Sequence, residues 1–169
     1  FDNPLVRKAI AYAIDRQRIV DQYQPIGSLL AKDFVPPSIV PGHNEKDEWY
    51  PYDPEKAKEL LAEAGYADGL EITLSFRNVV RPYLATPDKI AQEIQAQLAE
   101  VGITVKLNQM ESTAFIDSTS DGLEGFYMLG WTADYPGATN FYDYHFAADT
   151  NLQFGPLFPD IVENIRAAG

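Results

Sequence analysis

With 169 residues, 46% of them hydrophobic, the chain has enough apolar material for one domain with a real core. Its 25 acidic against 13 basic residues give a formal net charge of -12, and without a Lys/Arg cluster to displace counterions from phosphates this argues against a nucleic-acid partner. Cysteine is absent, which rules out disulfides and thiolate metal sites, and His43 and His145, far apart and in unlike contexts, argue against a zinc site or a His-based triad. Each histidine reads as a surface or turn residue, no metal or cofactor is expected, and no apolar run approaches the length of a membrane span.

Phe1-Asp2-Asn3-Pro4 runs straight into a helix with no leader or strand before it, so the chain reads as cut from something longer. Asn3 and Pro4 are an N-cap and first-turn pair, and Leu5, Val6, Ala9, Ile10, Ala13 and Ile14 follow at helical spacing. Asp15 caps a second short helix from Arg16 to Gln22. From Tyr23 to Tyr52, Pro25, Pro36, Pro37, Pro41 and Pro51 interrupt regular structure, and a connection of that length is functional or packed down by its own aromatics, with Trp49 and Tyr50 as the expected anchors. Asp53-Pro54 opens a helix through Ala57, Leu60, Leu61 and Ala64 to a Gly65 C-cap.

Leu70 to Phe76 alternates apolar and polar residues as a half-buried strand does. Thr86-Pro87 caps a long helix ended by Gly102, and Ile103 to Leu107 is the next strand. Strand, helix, strand forces the two strands parallel. Ser112 to Thr119 reads as a short helix, and the apolar run from Phe126 to Trp131 as a third strand of the same sheet. The carboxyl ends of the three strands then share one rim, which gathers Arg77 and Asn78, Gln109 and Glu111, and Trp131 and Asp134, where open α/β sheets bind ligands. A short aromatic helix over 140–146, its N-terminus near the rim, and a last helix from Pro159 to Ala167 complete an α/β lobe with a mixed, largely parallel sheet flanked by helices.

At the mouth of the third strand stands Gly130-Trp131-Thr132-Ala133-Asp134-Tyr135-Pro136. Asp134 there can hold a cation while Trp131 and Tyr135 take up an apolar neighbour; alternatively Trp131 is core, Asp134 caps its turn or the following helix, and Tyr135 packs the turn. Arg77 and Arg81, in the loop after the first strand, can reach a ligand carboxylate or stay solvated. Asn78 and Glu111 are rim residues by position, with turn chemistry as the alternative. An enzymatic alternative pairs Asp134 with Glu111 or Asp143 as the two carboxylates of a glycosidase.

In order along the chain, Asp2-Asn3-Pro4-Leu5-Val6-Arg7-Lys8-Ala9 with Tyr12-Ala13-Ile14-Asp15-Arg16, Tyr52 to Leu61 with Gly65-Tyr66, Ala91 to Gly102, and Gly130 to Pro136 with Phe141 resemble the extracytoplasmic solute-binding proteins of ABC importers, in the family that binds peptides, nickel and some oligosaccharides. The resemblance implies that residues 1–169 are a single lobe of the type II periplasmic-binding-protein kind. It also implies a receptor without catalytic residues, periplasmic or extracellular and lipid-anchored in its parent. Its partners would be a small solute, the missing partner lobe and the importer's membrane subunits. In peptide-binding relatives the Asp of the Trp-x-x-Asp-Tyr position pairs with the ligand's α-ammonium and the Trp lines a side-chain pocket; these roles fall on Asp134 and Trp131. Where some oligopeptide binders carry a basic residue before the Trp, this chain has Tyr127, Met128 and Leu129, which leaves peptide, oligosaccharide and nickel chelate as candidate ligands.

Overall fold

Helices begin here where a short polar side chain takes up the free amides of a first turn. In the computed structural model, which describes residues 1–44 and 49–168, Asn3 Oδ1 accepts from Leu5 N at 2.9 Å ahead of α1 (Pro4–Ala13). Asp15 accepts from Arg18 N at 3.0 Å ahead of α2 (Arg16–Tyr23), and Asp53 from Lys56 N at 2.9 Å ahead of α3 (Pro54–Glu63). Gly65 closes α3 with a φ of 88°, and Tyr66 N reaches back to Leu61 O at 2.8 Å. Thr86 precedes the next helix but does not cap it; its hydroxyl turns to Tyr23 O at 3.5 Å.

Strand β1 (Leu70–Arg77), helix α4 (Pro87–Ala99) and strand β2 (Ile103–Met110) form the expected crossover unit. The strands pair in parallel from Leu70 opposite Ile103 to Arg77 opposite Met110. Ile72, Leu74, Phe76, Ile103 and Val105 meet Ile90, Ile94 and Leu98 of α4, with Ala9 of α1 and Ala57 of α3 fully buried in the same core. A polar seam ties α2 to α4: Gln97 accepts from Asp15 N at 2.7 Å and donates to Glu93 at 2.8 Å, and Glu93 also accepts from the Tyr23 hydroxyl at 3.0 Å and pairs with Arg18 at 2.9 Å.

The third strand is a correction. Among the described residues, Phe126 to Trp131 makes one parallel bridge, Tyr127 opposite Ser75, with Ser75 N donating to Phe126 O at 2.9 Å and Met128 N donating to Ser75 O at 3.1 Å. Among the described residues the sheet therefore has two parallel strands, and the run beside them is held at a single bridge. Helix α5 (Ser112–Ser120) covers it with Phe115, fully buried and edge-on to Tyr127 at 6.3 Å.

The long proline-rich connection is anchored differently from the expectation. Trp49 and Tyr50 stay largely exposed, the first under the Arg16 guanidinium at 4.9 Å and the second edge-on to Tyr12 at 5.0 Å. Val35 and Ile39 are the buried pins, and they form a small second core with Phe141. Phe141 lies in the one-turn helix α6 (Thr139–Tyr142), which runs into a π-helical turn, Asp143–Ala147. Helix α7 (Pro159–Ala168) ends the described chain.

Candidate functional site

The turn after the bridged run is built around one buried side chain. Asn140 Oδ1 accepts from the Trp131 indole Nε1 at 2.7 Å and from Asp134 N at 3.3 Å, so a single amide fixes the ring and the backbone of the carboxylate. Gly130 admits the Tyr83 ring directly onto the backbone beside Trp131; a Cβ there would lie 2.4 Å from Tyr83 Cδ2. The indole stacks on Tyr144 at 5.0 Å and meets His145 edge-on at the same distance. Trp131 is thus partly core and partly wall: it packs on the Val35 cluster and faces a cleft.

The Asp134 side chain is exposed and has no hydrogen-bond or ion-pair partner among the described residues. The capping alternative is corrected: the position before α6 is Ala138, with no side-chain cap, and Asn140 orders the turn. Two amides at the start of α6 are also taken, Asn140 N by Gly137 O and Phe141 N by Ala138 O.

Asp134, Trp131, Tyr83, Arg77 and Arg81 line one cleft of about 280 Å³. Arg77 is steadied by donating to Ser112 Oγ at 2.8 Å; Arg81 is exposed, and its guanidinium donates to the carbonyl of Val80 at 3.3 Å. The remaining rim candidates do not join them. Glu111 caps α5, accepting from Thr113 N at 2.8 Å and Ala114 N at 3.1 Å, because a carboxylate at a helix start is drawn to the free amides there. Asn78 is exposed and lines none of the clefts described here. The Tyr135 hydroxyl bonds Thr139 Oγ1 at 3.0 Å, packing its own turn. For the glycosidase alternative, Asp143 lines a separate surface cleft with Arg166, and Glu111 is spent on its helix.

His145 was expected at the surface or in a turn and is buried instead. Phe34, Trp131, Tyr144 and Phe154 surround its ring, each centroid within 6 Å. Nδ1 faces Gln153 Oε1 at 3.1 Å, while Nε2 is buried with no hydrogen-bond partner among the described residues. Burial pushes its pKa below the ordinary histidine value, keeping the ring neutral. His145, Trp131 and Gln153 line both the 280 Å³ cleft and a larger, aromatic one of about 870 Å³. The aromatic density of Tyr142 to Phe146 was the visible sign in the sequence; the partner Phe34 was not.

Comparison with known proteins agrees with this architecture. The family description "Bacterial extracellular solute-binding proteins, family 5 Middle" matches residues 1–153. A dipeptide-binding protein of Escherichia coli K12 is 33% identical over 174 residues, 98% of this chain and 32% of that protein. Heme-binding protein A of Haemophilus influenzae Rd is 37% identical over 142 residues, 83% of this chain and 26% of that one. The solved dipeptide-binding protein of Pseudoalteromonas sp. SM9913 in complex with Met-Leu superimposes with a TM-score of 0.85 at 25% identity, covering 99% of this chain and 37% of that one. The chain spans about a quarter to a third of the length of the curated relatives it matches. With α/β architecture, crossover topology and a match running over residues 1–153, it belongs to the family 5 bacterial extracellular solute-binding proteins.

Proposed function

We propose that this chain is one lobe of a two-lobed receptor that delivers a small peptide to the membrane subunits of an ABC importer and does no chemistry on it. The observation that carries this is the free Asp134 carboxylate, its backbone clamped by Asn140, in one small cleft with Arg77 and Arg81. Opposite charges lining one cleft suit a zwitterion: the carboxylate takes an α-ammonium, and a guanidinium takes a carboxylate through two parallel bonds. Tyr127, Met128 and Leu129 leave no basic group just before the Trp, and Arg77 and Arg81 bring basic groups to the lining of the same cleft. The names of the relatives, a dipeptide-binding protein among them, support the same ligand class. An oligosaccharide is less well served, because Tyr144 covers one face of the Trp131 ring that a sugar would stack on.

The receptor works outside the cytoplasm, as its family does, and a lipid anchor on the full-length protein belongs to the same proposal. Among the described residues, no helix is long and apolar enough to cross a membrane. Calorimetry on the full-length protein with a free dipeptide, its N-acetyl form and its C-terminal amide tests the charge assignment. Each block should weaken binding by tenfold or more, from a lost charge-assisted bond of about 1.5–3 kcal/mol. Equal affinity for all three forms would overturn it.

A further inference from the structure

Of the two arginines in the candidate cleft, Arg81 is the looser. Ser112 Oγ holds Arg77 at 2.8 Å, whereas the exposed Arg81 guanidinium pairs with no carboxylate among the described residues. Where so long a side chain can reach is set by its backbone. That backbone belongs to a closed turn: Arg81 N donates to Leu84 O at 3.1 Å, Leu84 N donates to Arg81 O at 2.9 Å, and Pro82 presets φ at the second position. Tyr83 fastens the turn to the rest of the lobe at two points. Its carbonyl accepts from Gln24 Nε2 at 3.0 Å, and its ring lies on the backbone of Gly130, where a Cβ would come within 2.8 Å of Cγ and Cε2. Gln24 is the C-cap residue of α2 and does not line the 280 Å³ cleft. Its amide donates to Tyr83, while Oε1 is buried with no hydrogen-bond partner among the described residues. An apolar side chain of similar length would escape the cost of that orphaned acceptor, so the bond to Tyr83 is what the amide gives the position.

We infer that Gln24 and Gly130 are positioning residues: by holding Tyr83 at its carbonyl and its ring, they orient the 81–84 turn so that Arg81 meets the carboxylate of a bound peptide. This rests on the proposed function, which gives the guanidinium that task. The clamp acts on one end of the ligand only, because the turn that carries Asp134 is ordered separately by Asn140. Loosening Tyr83 therefore costs the carboxylate contact and spares the ammonium contact. A guanidinium whose backbone is fixed beforehand gives up less freedom when it binds, and that saving is the affinity the clamp contributes.

Two substitutions in the full-length protein test this. Gln24→Met keeps much of the side chain's length and removes its amide; Gly130→Ala puts a methyl where the Tyr83 ring lies, and serves in its place if the first does not fold. Without ligand, amide relaxation measured by NMR should show Arg81 and Tyr83 rigid in the parent and more mobile in either variant, with Asp134 unchanged. Calorimetry then compares Met-Leu, the peptide held by the solved relative, with its C-terminal amide. Either variant should weaken Met-Leu by about threefold to tenfold and its amide by less than about twofold. A residue that merely stabilises the fold, or a methyl that merely fills the cleft, would weaken both alike. Parent-like mobility of Arg81 and Tyr83 overturns the inference, and so does equal weakening of the two ligands or none. A parent protein that binds Met-Leu and its amide equally, or binds neither, overturns the charge assignment of the proposed function instead, and the relaxation profiles alone then decide whether Gln24 and Gly130 hold the turn.

Discussion

Asn140 and Asp134 divide the labour of the turn, and paired alanine substitutions in this chain expose the division. Asn140→Ala takes the acceptor from two donors at once, the half-buried indole N–H at 2.7 Å and the Asp134 amide at 3.3 Å. The indole N–H is wedged among Tyr144 and His145, where water reaches it poorly, while the Asp134 amide sits nearer solvent and bonds at longer range. Leaving the first unsatisfied costs about 1–3 kcal/mol and losing the second about 0.5–1. For a domain of this size each kcal/mol moves the melting point by about 2–4 °C, so scanning calorimetry should show a fall of roughly 3–16 °C. Asp134→Ala removes an exposed carboxylate that caps nothing, and its melting point should stay within about 1 °C of the parent, as surface changes do. Equal falls for the two variants, or a fall of less than about 2 °C for Asn140→Ala, would show that the turn is not held by this amide.

Asp134→Asn in the full-length receptor should leave the ligand-free melting point unchanged and weaken peptide binding by about thirtyfold to several thousandfold, chiefly through faster release, since a buried cation loses its partner at a cost of about 2–5 kcal/mol; unchanged affinity by calorimetry removes the anchor role. His145 gives a pH signature: its folded pKa lies below the unfolded 6.5, so its stability contribution is full above that value and is lost as pH falls from there through the folded pKa, where the unfolded chain binds the extra proton. The melting point of His145→Phe should therefore fall less between pH 7 and pH 5.5 than that of the parent, and parallel pH profiles would contradict the assignment. Ile26, Leu29, Val40, Phe154 and Phe158 are exposed, so light scattering should show reversible association of this chain that grows with salt as the net charge of -12 is screened. A strict monomer at all salt concentrations counts against an exposed interlobe surface.

The helices were legible because their signals are local. Asn3, Asp15 and Asp53 each lie within three residues of the amide they cap, and Gly65 marks a helix end by a conformation few other residues adopt. The crossover of β1, α4 and β2 was legible from period and length alone. What failed depended on distant neighbours. Phe126 to Trp131 has strand composition, but strand structure needs pairing partners, and among the described residues only Ser75 supplies one. Glu111 was read as a rim residue by position with turn chemistry as the alternative, and the structure spends it on the start of α5, where the amides of Thr113 and Ala114 donate to it. His145 is buried by Phe34 and Phe154, and Val35 and Ile39 pin the proline-rich connection while Trp49 stays exposed; neither outcome is written in the neighbouring sequence.

The placement of the free carboxylate follows from how β1 ends. Ser75 is fully buried: its hydroxyl accepts from Asn108 of β2 at 3.1 Å, and its backbone grips Phe126 and Met128 on the other side. That grip sets the run carrying Trp131 and Asp134 beside the end of the strand that carries Arg77, with Arg81 a few residues further on. Had Asp134 capped its own turn, bonds from backbone amides would have satisfied its charge before a ligand arrived, and a cation would have had to displace them. Giving the turn to a neutral, buried amide leaves the negative charge unspent at the cleft. The carboxylate then shares a cleft with two guanidinium groups, and under the proposed function discrimination falls to whichever solute presents both charges at once.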